Sequence, residues 1–455
     1  MSAERRALAL AGALVVLLAA AAMARPFLAV DETRYLAVAW EMWQRDGFLV
    51  PYLNGEPYPH KPPLLFWLLQ AGWSLFGVND VWVRVVPMLA ALASLALVAA
   101  LARALWPERP AVAAAAPLAL APMPLWTYFT GAVMFDMLLA ACALLGWLGI
   151  ALAWRGAMRR GFALAALGLG LGLLAKGPVI LLHVLPLAVF APLWMREARP
   201  RWGRWALGTL LALLGGAALV LAWAVPAALA GGDEYGRAIF WGQTAGRMAK
   251  SFAHRAPFWF YLPFLPLLTA PWVFWPRLWR AARGADLRAS GERFCLLQIA
   301  FALAAFSLIS GKQVQYLLPE LGLVALLVAR WADGAPQLRR IALTVGGACV
   351  LLQVGAALLV GPAQRVAPLA ERIAALQRDG VTVANEGKYH GQFQYYGRLT
   401  RPLEVIDERD IGAWLASHPD GRVVVYFREP EYRGPGRVAY QTAYRGQRAA
   451  IVAPR

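Results

Sequence analysis

Residues with the potential for chemistry are concentrated between Asp31 and Pro63, in the string DETRYLAVAWEMWQRDGFLVPYLNGEPYPHKPP. Two acids, Asp31 and Glu32, open the stretch, and His60-Lys61-Pro62-Pro63 closes it by returning a cation towards them. A carboxylate can orient an acceptor group or take its proton. Lysine is a compact point charge suited to a phosphate. Asp31 is also well placed as the N-cap of a helix, where a carboxylate accepts backbone N–H groups and meets the positive end of the dipole. Only five lysines occur: Lys61, Lys176, Lys250 and Lys312 at the ends of apolar runs, and Lys388 nearer the C-terminus. Anchoring of helix ends at a membrane surface would place the first four equally well. In TYFTGAVMFD, Asp136 stands at the start of an apolar run. An acid beside hydrocarbon is costly unless it is paired, hydrated or capping the helix that follows.

The elements that must position these groups are membrane spans. With 60% hydrophobic and 15% charged residues in 455, and a mean hydropathy of +0.52, the chain reads as a polytopic membrane protein rather than a soluble enzyme. Apolar runs predict eleven spans, at about 7–23, 80–102, 111–129, 132–153, 161–175, 177–195, 205–230, 256–276, 294–309, 314–329 and 341–361. The first is read as a retained anchor, against a signal peptide cleaved near Ala22-Met23-Ala24. With the N-terminus in the cytoplasm, the inner segments carry 19 arginines against 6 acids. The positive-inside rule then absorbs most of the net charge of +18, which no longer argues for nucleic acid. Cys142, Cys295 and Cys349 lie in or beside apolar runs without paired spacing, so neither a disulfide framework nor a thiolate metal site is indicated.

All five lysines fall on the outer side of this topology. Thr33 to Gln44 predicts an interfacial helix with Tyr35, Val38, Ala39 and Met42 on one face, stopped by Gly47. An irregular loop with Pro51, Asn54-Gly55, Pro57 and Pro59 follows. Two outer-face loops, 30–79 and 231–255, belong to a transmembrane domain of residues 1–361; Tyr235, Phe240 and Trp241 mark the second as interfacial. Residues 362–455 predict a small α/β domain outside the cytoplasm, with an amphipathic helix over 365–379, strands at VTVAN, LEVID and VVVYF, and helical pattern in DIGAWLASH.

The string DETRY, then LNGEPY, then Lys-Pro-Pro before an apolar run resembles the polyprenyl-phosphate-dependent class C glycosyltransferases. The bacterial lipid A aminoarabinose transferases are the nearer likeness, and the protein O-mannosyltransferases the more distant. HRAPFWFYLPFLP and SGKQVQYLLPEL extend the similarity. The resemblance implies an inverting transfer from a polyprenyl-phosphate sugar to an acceptor at the outer face of the bacterial inner membrane, either lipid A, another glycan or lipid, or a protein. It also implies membrane lipids as surroundings and no nucleotide cofactor, and no GxGxxG with an acidic partner is present. Carried onto this chain, Arg34, Lys61, Arg255 and Lys312 would stabilise the leaving phosphate. Asp31 and Asp136 would be the catalytic acids, with Tyr35, Tyr58, Lys176 and Tyr316 facing substrate. Where close relatives have an acid before the Lys-Pro-Pro lysine, this chain has His60; with His254 it could hold a divalent ion of the zinc type. A secondary transporter is the competing class, but it would place ionisable groups near the midplane in two related halves. Glu320, just inside a span, has no role in either reading beyond a possible cation partner.

Overall fold

The computed structural model describes residues 2–197, 199–242 and 256–455. Packing divides the chain into two compact units, each discontinuous in sequence. The first comprises residues 1–22, 59–65 and 78–353, and the second residues 23–58, 66–77 and 354–455. The boundary expected at residue 361 is a single cut, whereas packing places the stretch that begins with DETRY in the same unit as the C-terminal residues.

The first unit is a helical bundle. Among the described residues, seven helices of the chain are long and apolar enough to cross a membrane, and four shorter apolar ones accompany them. Phe135–Trp154 is the most enclosed, its apolar window being 83% buried, against 17% for Pro336–Leu359. The first is therefore the bundle's centre and the second presents Leu351, Leu352, Leu358 and Leu359 outward, as a lipid-facing helix does. Phe135–Trp154 and Met158–Lys176 meet backbone to backbone: a Cβ on Gly149 would stand 2.5 Å from Ala165 N, and one on Gly161 2.4 Å from Ala153 N. Small residues permit this approach, which hydrogen bonding and dispersion then hold in lipid.

The span expected over 256–276 is not a continuous helix. It breaks into Leu262–Phe264, Leu265–Thr269 and Trp272–Phe274. Pro257, Pro263, Pro266 and Pro271 each remove a backbone donor and end the ladder. Leu64–Phe76, by contrast, is an apolar helix where no span was expected. At the arginine-rich end, Arg109 pairs with Asp333 at 3.2 Å and Arg330 with Glu292 at 2.9 Å, while Arg155 donates to Ala104 O and Leu105 O at 2.7 Å. Arg103 also pairs with Glu4, so segments expected on the inner face do gather.

The second unit is built on a five-stranded sheet of order β4-β3-β5-β7-β6. Here β3 is Val383–Glu386, β4 Glu404–Ile406, β5 Arg422–Phe427, β6 Arg437–Tyr444 and β7 Gln447–Ala453. The first three pair in parallel and the last two extend the sheet as an antiparallel hairpin. Alternation along β5 puts Val424 against the Ala367–Arg378 helix and Val423 and Val425 against Trp414 and Leu415. The hairpin was not expected from the sequence. Its turn, Arg445-Gly446, has both φ positive (51° and 78°), the geometry that twists with the strands.

Asp31–Gln44 is a helix, as expected, and Tyr35, Val38, Ala39 and Met42 are buried. Its ends differ from the expectation. Val30 occupies the cap position, no side chain caps the helix, and Asp31 is its exposed first residue, so the N-cap reading of Asp31 does not hold. Glu32 serves that end instead, accepting from Leu28 N at 2.9 Å and pairing with Arg25 at 2.6 Å. The stop is not Gly47 alone: Asp46 takes the left-handed conformation, and Gly47 N–H bonds Met42 O at 3.0 Å.

The loop beyond is not irregular either. Tyr52–Leu53 (β1) and Glu56–Pro57 (β2) form a hairpin about Asn54-Gly55, both with positive φ. Buried Glu41 accepts Asn54 N at 2.5 Å and Gly55 N at 2.9 Å, and its desolvation raises the carboxyl pKa above the usual value. Asn54 ties the turn to the sheet by donating to Leu403 O and accepting from Leu403 N, both at 2.8 Å.

Candidate active site

Within the bundle, four residues singled out by sequence come together. Asp136 opens the Phe135–Trp154 helix, is 3% exposed, and receives the Lys176 ammonium at 2.5 Å. Lys176 ends the Met158–Lys176 helix, and its Nζ also lies 5.0 Å from the centre of the Tyr316 ring. Lys61 Nζ stands 5.6 Å from the ring of Phe135, the neighbour of Asp136. Gly177, with φ of 76°, turns the chain next to Pro62, which a Cβ there would touch at 4.0 Å. Asp136 thus balances Lys176, as a buried acid requires. Lys61 brings a second cation to the same place, with aromatic faces that attract ammonium groups. Two cations, one acid and a phenol at the ends of apolar helices suit an anionic lipid head group.

Lys312 is differently engaged. Its ammonium donates to Ile309 O at 2.5 Å and Ala256 O at 2.9 Å, closing the turn before Val314–Leu317, the short helix that carries Tyr316. His60 is exposed. His254 and Arg255, with Lys250, lie outside the described residues.

The sequence reading missed a buried polar pair in the bundle. His183 Nδ1 and Glu320 Oε1 are 2.7 Å apart, and Gln298 Nε2 donates to Leu182 O at 3.2 Å and lies 3.5 Å from the same Glu320 oxygen. Polar groups are therefore not confined to one face. The available signal was His183 itself, an ionisable residue inside an apolar run. The pair fixes the segment just after Tyr316, which gives Glu320 a positional role.

In the second unit, Tyr35 and Tyr58 are buried, Arg34 is half-buried and Asp31 exposed. His390, not foreseen, feels both Asp31 and Arg34.

A model of the family described as dolichyl-phosphate-mannose-protein mannosyltransferase matches residues 60–228, which include Lys61, Asp136 and Lys176. The undecaprenyl phosphate-alpha-4-amino-4-deoxy-L-arabinose arabinosyl transferase of Pseudomonas aeruginosa is 34% identical over 308 residues, covering 66% of this chain and 54% of that protein. The transferase of the same name from an Enterobacter species is 30% identical over 311 residues, covering 66% and 55%. Among solved structures, ArnT from Cupriavidus metallidurans in the apo state superposes with a TM-score of 0.79 at 17% identity, covering 99% of this chain and 98% of that one. The chain is similar in sequence to these transferases over about two thirds of its own length, and it shares the class C glycosyltransferase fold of ArnT. As in that class C fold, it is a polytopic helical membrane protein. It spans about half the length of the curated relatives it matches.

Proposed function

We propose that this chain is an inverting glycosyltransferase that moves a sugar from a polyprenyl-phosphate donor to an acceptor at the outer face of the inner membrane, most consistent with lipid A or another envelope glycan or lipid. The observation that carries this reading is the gathering of Lys61, Lys176, Asp136 and Tyr316. Support also comes from the names of the relatives and from the ArnT crystal structure described as bound to undecaprenyl phosphate.

In the proposed reaction an acceptor oxygen forms a bond to the anomeric carbon as the bond from that carbon to the phosphate oxygen breaks. The electron pair leaves with the phosphate, and Lys61 stabilises the charge that grows there. Lys176, held by Asp136, keeps a second ammonium in fixed orientation, which avoids reorganisation as charge develops. Arg34 and Arg255 are the further phosphate candidates, and Lys312 acts through the backbone of the turn it closes. Asp31 takes the proton of a hydroxyl acceptor; towards an ionised phosphate acceptor it only orients. His60 and His254 are the residues that would hold a divalent ion. Two ligands do not specify a metal, and among the described residues no group of three His, Cys, Asp or Glu gathers. Protein as acceptor is the second reading, favoured by the description of the matching family model. Mass spectrometry of lipid A, envelope glycans and proteins from cells with and without the chain separates the two. A sugar lost from none of them rejects both.

The small α/β domain is placed in the periplasm by this reading. A reporter fused after Arg455 should be active only outside the cytoplasm, and one near Arg283 only inside; the reverse pattern would overturn the orientation.

A further inference from the structure

The arginine-rich end of the bundle carries cations that sugar transfer, as written above, leaves without a task. Pro276–Arg283 is a short amphipathic helix: Leu278 is buried and Ala281 and Ala282 are half-buried, while Arg277, Arg280 and Arg283 are exposed. Its exposed Trp279 donates through Nε1 to Val273 O at 2.7 Å, which fixes an indole among the arginines, the residue type that membrane interfaces favour. Arg277 Nη1 donates to Gln337 Oε1 at 3.3 Å. Gln337 is the second residue of Pro336–Leu359, a helix long and apolar enough to cross a membrane, so the amphipathic helix meets this span at its very end. Arg340, also exposed, comes three residues later and shares the face of Gln337.

Among the described residues no carboxylate pairs with Arg277, Arg280, Arg283 or Arg340, whereas Glu4, Glu292 and Asp333 at the same end each serve another arginine. Like charges so placed repel unless an anion joins them. The guanidinium fork matches the oxygens of a phosphate. Beyond Arg340 the same face of the span continues through Leu343, Gly347 and Leu351, at the spacing of a helical stripe. Leu343 and Leu351 are 41% and 74% exposed, and a Cβ on Gly347 would meet nothing within 4 Å. A free anion would use the arginines and leave this stripe untouched. A ligand that joins a phosphate to an acyl chain uses both.

We propose that the junction of Pro276–Arg283 and Pro336–Leu359 is a binding site for an anionic phospholipid of the surrounding bilayer. Its phosphodiester lies between Arg277 and Arg340, with Arg280 and Arg283 extending the positive field along the head-group layer, and an acyl chain follows Leu343 to Leu351. The site stands apart from the sugar-transfer reading and uses none of its residues.

The test is native mass spectrometry of the purified full chain in detergent, titrated with phosphatidylglycerol or with zwitterionic phosphatidylcholine, beside thermal melting. The parent should retain phosphatidylglycerol at least tenfold more tightly than phosphatidylcholine, and only the former should raise its melting temperature. Arg277→Gln and Arg340→Gln should each weaken phosphatidylglycerol binding by about fivefold, the scale of one cation at a charged membrane surface. Both residues are exposed, so without added lipid the variants should melt with the parent. A second double variant, Arg159→Gln with Arg160→Gln, removes the same charge from exposed residues at the start of Met158–Lys176 and should bind as the parent does. Equal weakening in this variant and in the Arg277→Gln, Arg340→Gln double variant means diffuse surface charge and overturns the site. Parent-like binding in the latter, or no preference for phosphatidylglycerol in the parent, overturns it too. Displacement of the lipid by millimolar inorganic phosphate would assign the arginines to a soluble anion and reject the phospholipid.

Discussion

Lys61→Ala should lose donor turnover by about 2 to 5 kcal/mol, the cost of leaving a desolvated anionic partner without its cation. The side chain is half-buried, with its ammonium over the Phe135 ring, and it comes from a loop rather than from the packed interior of a helix. Its truncation should therefore leave the melting temperature in detergent nearly unchanged. Lys61→Arg would keep the charge but exchange a point donor for a planar fork, and should recover only part of the activity. Turnover with a saturating polyprenyl-phosphate sugar is the readout. Parent-level transfer by folded Lys61→Ala would remove this residue from the phosphate site.

Asp31→Asn should bind donor and yet transfer about two or more decades more slowly, the usual scale for a general base. The structure sharpens this expectation. Because Val30 stands at the cap position and no side chain caps the helix, a fall in activity cannot be assigned to a lost cap. Asp31→Ala should cost stability only through the helix dipole, about 0.3 to 1 kcal/mol, while losing as much turnover as the asparagine variant. Single-turnover transfer with prebound donor, run beside thermal melting, distinguishes these outcomes. Parent-rate transfer by Asp31→Asn would move the base to Asp136 or Glu32. Both are less suited, since Asp136 is engaged by Lys176 and Glu32 by Arg25 and Leu28 N.

Much of the bundle was legible in the sequence because lipid imposes one strong rule: apolar runs of sufficient length must satisfy their own backbones. The same rule hid its exceptions. The 256–276 run is apolar enough, but four prolines break its hydrogen bonds, and hydropathy does not register that loss. Lys176 and Asp136 could be picked out singly, since each marks a helix end; that they touch depends on bundle packing, which no local pattern encodes. The β6–β7 hairpin escaped because its turn residues, Arg445 and Gly446, do not match the usual Asn-Gly signal that Asn54-Gly55 provides. The association of the Asp31–Gln44 helix with the C-terminal sheet was the least legible of all. It rests on Glu41, Asn54, Gly391 and Gln394, residues more than 300 positions apart whose partners become visible only in the fold.

The most direct test of sugar transfer is reconstitution of the purified chain in nanodiscs with undecaprenyl-phosphate aminoarabinose and lipid A, followed by mass spectrometry of both lipids. The account predicts a sugar added to the acceptor together with release of undecaprenyl phosphate, both lost in Lys61→Ala. Unaltered lipids with the parent chain, across this donor and other polyprenyl-phosphate sugars, would contradict it.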